Sequence, residues 1–176
     1  PVGVPQAMRP PMADVYLQPG GFYFGKGDVR VHTILGTCVA ITLWLPARKT
    51  GGMCHYLLPR RPRHSNEPPG LYADEAMMLF MREVQRLGHP AQEYDVGLFG
   101  GGHMFRVAAT CPFDVAQMNI DAGWRLLRAH GFRVAMEHLG GIGHRRVVLD
   151  LDAGRVSVEQ FDLSPAGPML PKVNPC

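Results

Sequence analysis

The sequence predicts an α+β fold, in which helices and strands are mixed without the regular alternation that builds a doubly wound parallel sheet. Two segments, residues 72–87 and 114–130, carry apolar side chains at helical spacing. Around them lie short apolar or alternating runs bounded by glycine and proline, a pattern typical of strands. The 176 residues are sufficient for one domain with a sizeable core.

Each element has a local signal that defines its ends. The first helix runs into Gly88 and Pro90, whereas the second has Asp114 as an N-cap and Gly131 in the C′ position. A hairpin-like start is predicted where two short apolar runs, residues 15–17 and 22–24, flank a glycine pair. Further strands are predicted at residues 39–45, 94–99, 132–139, 146–151 and 155–161, with a second strand of a central hairpin opening at Gly51.

The two ends of the chain differ from its middle in composition. Residues 1–12 and 164–176 are rich in proline and have no period, so we expect two mobile tails around a single domain at 13–163. No signal peptide is visible, and no apolar run approaches the ~20 residues that span a bilayer, which predicts a cytoplasmic protein. The four cysteines lack a CxxC spacing and indicate free thiols. The net charge is +3 and the basic residues are scattered along the chain, which disfavours a nucleic-acid partner.

Cys38 and His55 are the candidate chemical groups. Two antiparallel strands joined by the loop 46–50 would bring them together, because Cys38 precedes the first strand and His55 lies near the end of the second. A nearby imidazole lowers the pKa of a thiol and accepts its proton, which makes a nucleophile. A buried cysteine is also among the commonest inert core residues, so the spacing alone leaves both interpretations open.

Glycines and small residues surround these two groups. Gly36 and Thr37 precede the cysteine and would let a substrate backbone approach, and the amides of Gly101 and Gly102 are expected to face a ligand. The triple glycine lacks the following lysine of a phosphate loop, so a nucleotide site is not expected. Cys54 should point to the opposite face of its strand from its neighbour His55, as a core residue.

The order of the motifs resembles the CheD family, the chemoreceptor glutamine deamidases. The resemblance rests on LGTCVA at 35–40, GGMCHYLLP at 51–59, FGGGHMF at 99–105, Asn119, and LGGIGHRR at 139–146, and it covers roughly residues 14–160. It implies a mixed β-sandwich core flanked by helices, similar to the catalytic domain of the cytotoxic necrotising factor toxins. It also implies that Cys38 is the nucleophile and His55 its base.

The third catalytic position departs from the family pattern. The family places a threonine six residues before the cysteine, where this chain has His32, and Thr33 follows one residue later. A shift of one residue turns a strand side chain to the other face. Three alternatives therefore stay open for the group that orients His55: His32, a backbone carbonyl, or Thr33 through a local bulge. Asn119 is expected to hold the glycine loop by hydrogen bonds.

The implied activity is hydrolysis of glutamine side-chain amides in methyl-accepting chemotaxis receptors, through a cysteine thioester and with release of ammonia. No metal or cofactor is expected, because a zinc site built from Cys38, His55 and His103 lacks a close ligand pair and a fourth ligand. The implied partners are the cytoplasmic helices of the receptor, which would be the only link to the membrane, and a CheC-like phosphatase. The alternative is a catalytically weak binding module that regulates such a CheC-type phosphatase.

Overall fold

The computed structural model describes residues 12–63, 66–67, 69–104 and 113–162, and their strands form two sheets. The four-stranded sheet contains, in spatial order, β1 (Ala13–Leu17), β3 (Val29–Leu35), β8 (His144–Asp150) and β9 (Arg155–Phe161). The five-stranded sheet contains, in spatial order, β2 (Phe22–Lys26), β5 (Thr50–Tyr56), β4 (Val39–Leu45), β6 (Asp95–Gly100) and β7 (Val134–Leu139). Two helices, α1 (Ala73–Leu87) and α2 (Val115–Ala129), confirm the predicted α+β class.

The five-stranded sheet is the middle layer of three. One of its faces packs against both helices through residues that include Ile41 and Cys54. Its other face, with Ala40 and Met53, packs against the inner face of the four-stranded sheet. Every residue of β5 is buried, because a strand covered on both faces has no solvent side. β4 is also covered on both faces, which explains why its sequence is a nearly continuous apolar run.

Both predicted helices are present close to their expected bounds. The buried face of α1 includes Met77 and Phe80, and the helix ends at Gly88, whose φ of 71° is the left-handed conformation that glycine adopts readily. At the start of α2, the side chain of Asp114 accepts a hydrogen bond from the backbone N–H of Gln117. This is the capping geometry that the sequence predicted.

The central hairpin is also confirmed, and the last two predicted strands are present and form a second hairpin. Strands β4 and β5 pair antiparallel, with Ala40 opposite His55, and the connection contains a short 3₁₀ turn at Pro46–Arg48. Strands β8 and β9 pair antiparallel around the turn at residues 151–154.

The predicted hairpin at the start of the domain is wrong. Strand β1 runs parallel to β3 in one sheet, whereas β2 pairs antiparallel with β5 in the other. The link between β1 and β2 crosses from sheet to sheet along β5. There, Gly20 N–H donates to the carbonyl of His55 at 2.7 Å, and His55 N–H donates to the carbonyl of Gly21 at 3.0 Å. Local glycine signals do not say which sheet a strand joins.

The two expected tails, at 1–12 and 164–176, lie almost entirely outside the described residues, so the proposed domain limits stay predictions. Cys111 and Cys176 lie outside them as well. Neither described helix combines the length and apolar character that a bilayer-spanning helix requires.

Candidate active site

A cleft of about 470 Å³ is lined by residues from both sheets. Its walls include the end of β1 and the segment after it, the outer and inner sides of β3, and the central hairpin. The lining residues are Tyr16, Leu17, Gln18, Pro19, His32, Thr33, Ile34, Cys38, His55 and Arg146. Thus the structure brings the predicted cysteine and histidine to one cleft.

Strand register explains why Cys38 and His55 share this cleft. Ala40 lies directly opposite His55, and residues directly opposite each other in an antiparallel pair project to the same face. Cys38 precedes Ala40 by two positions and therefore lies on that face as well. The side chains are nearly buried, with Cys38 at 9% exposure and His55 at 2%.

Thr33 contacts His55 directly. Its hydroxyl donates to the carbonyl of Leu17 at 2.9 Å and lies 2.8 Å from His55 Nδ1. A threonine hydroxyl has a single hydrogen, so the hydroxyl that donates to Leu17 accepts from Nδ1–H. This pair of contacts assigns the imidazole hydrogen to Nδ1 and leaves the lone pair on Nε2, which has no hydrogen-bond partner among the described residues.

His32 lies on the other side of the same strand. Its Nε2 is 2.7 Å from Asp14, and its ring stacks on Tyr16 with 4.7 Å between centroids. The register of β3 against both neighbouring strands is continuous, with Leu17 opposite Thr33 and no bulge. The structure therefore places Thr33, and not His32, against His55. The carbonyl alternative also has a part, because the Leu17 carbonyl fixes the Thr33 hydroxyl.

Burial sets the protonation states in the cleft. It raises the pKa of the Cys38 thiol, against the smaller effects of the Cys38 backbone amide and the Thr37 hydroxyl, which favour the thiolate. Burial also lowers the pKa of His55 to about 4, with the Leu17 carbonyl acting in the opposite direction. His55 is not among the groups that shift the pKa of the Cys38 thiol in the resting site. Near neutral pH both groups are uncharged, and the proton moves only when a substrate is attacked.

Cys54 is the second cysteine of the hairpin. It lies on the face that packs against the helices, as the alternation of the strand predicted. Its side chain is fully buried, and that burial raises its pKa to about 12. This thiol is a core residue.

The glycine loop has a different role from the one expected. Gly101 N–H donates to the carbonyl of Cys38 at 2.8 Å, and Gly102 N–H donates to the carbonyl of Gly36 at 2.8 Å. Since both amides are already used, the expectation that Gly101 and Gly102 present them to a ligand is wrong. The loop instead holds the turn at residues 36–38 that carries the nucleophile, hereafter the nucleophile turn. A side chain at Gly102 would meet the carbonyl of Gly143 and the guanidinium of Arg145, which explains the need for glycine there.

Asn119 also differs in part from expectation, whereas His103 does not act at the site. Asn119 Nδ2 donates to the carbonyls of Thr37 at 3.1 Å and Leu57 at 2.9 Å, so it holds the nucleophile turn and not the glycine loop. His103 Nε2 pairs with Asp114 at 2.9 Å and does not line the cleft. The described residues contain no cluster of three or more groups suited to a metal ion.

Two residues that support the site were not singled out from the sequence. One is Leu17, whose carbonyl fixes Thr33. The other is Arg145, which is fully buried and donates from Nη1 to the carbonyl of His138 at 2.5 Å and from Nη2 to that of Gly140. The glycine-rich segment before two arginines was visible, but it does not say which arginine is buried.

Comparison with known proteins gives consistent results. The family model described as CheD chemotactic sensory transduction matches residues 57–160. The chain is 40% identical over 144 residues to the probable chemoreceptor glutamine deamidase CheD 3 of Dechloromonas aromatica, covering 81% of this chain and 85% of that protein. The corresponding protein of Pseudomonas savastanoi pv. phaseolicola is 42% identical over 149 residues, covering 84% of each chain. A third, CheD 1 of Leptospira interrogans, is 36% identical over 156 residues, covering 84% of this chain and 92% of that protein.

Proposed function

The chain belongs to the CheD family, and from that membership we propose that it is a protein-glutamine deamidase acting on chemotaxis receptors. The observation that supports the chemistry most directly is the contact of Thr33 with His55 Nδ1. It leaves Nε2 as a free base in the cleft that Cys38 also lines. Both groups lie before the segment that the family model matches, so their roles rest on geometry.

The reaction begins with the proton of the thiol. His55 Nε2 takes that proton while Cys38 Sγ attacks the side-chain carbonyl carbon of a substrate glutamine. The tetrahedral intermediate then breaks its C–N bond, and the proton on Nε2 goes to the leaving nitrogen, which departs as ammonia. A thioester between Cys38 and the substrate remains.

Water completes the cycle in the same site. Nε2 accepts a proton from the water as its oxygen attacks the thioester carbon, and the C–S bond breaks with return of the proton to sulfur. The net change is one glutamine and one water converted to one glutamate and one ammonia. The expected absence of a cofactor agrees with this balance, because neither an oxidant nor an activated group is needed.

Thr33 acts through His55 and not on the substrate. Because its hydroxyl accepts from Nδ1–H and is itself fixed by the Leu17 carbonyl, it keeps the hydrogen on Nδ1 and the ring in one orientation. When Nε2 holds the proton, Nδ1–H still donates to the same oxygen. This contact therefore stabilises the imidazolium that forms during attack.

The mouth of the cleft offers two apolar side chains to the substrate. Tyr16 and Ile34 are 69% and 63% exposed, and both line the cleft from the outer face of the four-stranded sheet. Large apolar side chains that exposed, beside a reactive group, are suited to bind the residues that flank a glutamine on a protein surface. The proposed substrate segment is the cytoplasmic helical part of the receptor, so the proposal implies that the enzyme acts in the cytoplasm.

Three finer expectations from the family belong to the same proposal. They are association with a CheC-like phosphatase, a fold like the catalytic domain of the cytotoxic necrotising factor toxins, and membrane association only through the receptor. The alternative of a catalytically weak binding module is less favoured, because Thr33 makes the contact with His55 that a departure at His32 had put in question.

The direct test is mass spectrometry of a purified receptor cytoplasmic fragment after incubation with the protein. Deamidation replaces an amide NH₂ by OH, so each modified glutamine gains about one dalton when the cysteine nucleophile is present. We expect this gain with the wild type and with Cys54→Ala, and none with Cys38→Ala. Equal modification by Cys38→Ala would exclude Cys38 as the nucleophile, and no modification by the wild type would reject the deamidase function.

A further inference from the structure

Three successive carbonyl groups of the nucleophile turn each accept a hydrogen bond. The carbonyl of Gly36 accepts from Gly102 N–H at 2.8 Å, and that of Cys38 accepts from Gly101 N–H at 2.8 Å. Between them, the carbonyl of Thr37 accepts from the side-chain amide of Asn119 at 3.1 Å. Asn119 is the only side chain that holds this turn among the described residues.

The hydrogen bond from Asn119 to the Thr37 carbonyl fixes the direction of the next N–H group, that of Cys38. In a planar trans peptide the C=O of one residue and the N–H of the next point in opposite directions, and the described chain contains no cis peptide. Because Asn119 on α2 binds the carbonyl of Thr37, the N–H of Cys38 points away from α2. That amide favours the thiolate of its own side chain, which lines the cleft. Within the described chain, the Cys38 N–H donates to no backbone carbonyl.

The environment of Asn119 indicates that its two N–H groups are the reason for its presence. The residue is fully buried, and its Oδ1 has no hydrogen-bond partner among the described residues. An unpaired buried oxygen is unfavourable, so an apolar residue would serve packing better. Both hydrogens are used: the second donates to the carbonyl of Leu57, two positions after His55. One amide therefore links the turn of the nucleophile to the strand of the base.

We propose that Asn119 is a positioning residue for transition-state stabilisation: by holding the Thr37 carbonyl, it directs the Cys38 amide N–H at the oxyanion of the tetrahedral intermediate. This inference rests on the proposed deamidase function. Backbone N–H groups fixed before the reaction stabilise such an oxyanion without reorganisation, and loss of one donor lowers kcat by about 10²–10³-fold in acyl transfer.

Two variants remove the contact in different ways. Asn119→Asp has nearly the same shape but presents oxygens to both carbonyls, and Asn119→Ala removes the group without repulsion. The matched control is Tyr56→Phe, which removes a buried hydrogen bond of 2.7 Å to the backbone carbonyl of Asn119 and leaves the side-chain amide in place. All three are expected to lower the melting temperature.

The readouts separate orientation of the amide from general loss of structure. We expect both Asn119 variants to lower kcat for deamidation of the receptor fragment by about 10²-fold and to change KM by less than about threefold. Alkylation of Cys38 by iodoacetamide forms no oxyanion, so its rate should fall much less than kcat, by at most about tenfold, as the amide loses its contact with the thiolate. Tyr56→Phe should keep kcat within about threefold of wild type.

The outcomes distinguish this inference from the function on which it rests. An equal fall of the alkylation rate and of kcat, or an unchanged kcat in a folded variant, would overturn the role of Asn119 while wild-type deamidation stands. No deamidation by wild type would reject the function itself. If neither variant folds, an experiment on the wild type tests the inference. A glutamine-derived peptide aldehyde forms a hemithioacetal on Cys38, and its oxygen should shift the Cys38 amide proton downfield in the NMR spectrum. An unshifted proton would overturn the inference.

Discussion

The central hairpin carries two buried cysteines on opposite faces, and their environments differ. Cys54 is adjacent to His55 in sequence, yet it packs in the apolar core beneath the helices. Cys38 is 17 residues from His55, yet both line the cleft between the sheets. Sequence proximity is therefore the wrong guide to which thiol a histidine serves, because neighbouring strand residues project to opposite faces.

The largest expected difference between the two faces is in thiol reactivity. Burial is complete for Cys54 and raises its pKa to about 12, whereas Cys38 is 9% exposed, lines the cleft and has its backbone amide beside the sulfur. We expect iodoacetamide to modify Cys38 at least about 100-fold faster than Cys54, measured by peptide mass spectrometry of the folded protein. Similar rates for the two thiols would contradict the assignment of Cys54 to a closed core.

The hairpin face that carries His55 should also lose stability at acidic pH, whereas the face that packs against the helices should not. Burial lowers the pKa of His55 from 6.5 to about 4, so between these values the unfolded chain binds a proton that the folded site does not. The resulting contribution to stability is complete above about pH 6.5 and is lost as the pH falls to about 4, on the order of 3 kcal/mol.

Chemical denaturation at pH 7 and pH 4 measures this effect. His55→Gln should lose less stability than wild type over that range, by the same amount, since glutamine does not titrate. The carboxylates contribute to both proteins alike, so the difference between them isolates His55. Parallel stability curves for the two proteins would show that His55 titrates normally in the folded state.

Thr33 and Thr50 provide a matched pair for the role of the hydroxyl. Each is buried and donates to a backbone carbonyl at 2.9 Å, to Leu17 and to Gly25, but only Thr33 also contacts His55. We expect Thr33→Val to lower kcat by about 10- to 100-fold, by analogy with the loss when the hydrogen-bond partner at the second nitrogen of a metal-bound imidazole is removed.

Steady-state kinetics of the two valine variants, with melting temperatures, tests this pair. Thr50→Val should lose stability and keep kcat, whereas Thr33→Ser should recover most of the kcat lost in Thr33→Val because it restores the hydroxyl. An equal loss of kcat in both valine variants would mean that the effect is structural.

The smallest expected effect concerns the mouth of the cleft. Tyr16→Ser and Ile34→Ser should each raise KM for the receptor fragment by about fivefold, which corresponds to roughly 1 kcal/mol of lost apolar contact, with kcat unchanged. Met136→Ser is the matched control, since Met136 is an exposed apolar residue of β7 that does not line the cleft. A KM change in the control, or none in the others, would place the substrate elsewhere.

The order of residues along the chain accounts for much of the fold. The two helices have their apolar spacing and end signals in contiguous sequence, and the central hairpin has two apolar runs separated by a polar turn. These features were predictable because their information is local. The hairpin at the start of the domain was predicted wrongly, because the glycine pair marks a crossing between sheets, a choice that depends on distant strands.

The features of the site likewise divide into those that local sequence decides and those that tertiary contacts decide. The sequence by itself determined that Cys38 and His55 share a face, since register and alternation in one hairpin decide it. Only the tertiary structure decided that Thr33 orients His55, that the glycine loop and Asn119 hold the nucleophile turn, and that burial keeps the pair neutral. Those contacts join residues 16 to 82 positions apart, across both sheets and α2, and the solvation of a side chain depends on everything packed around it.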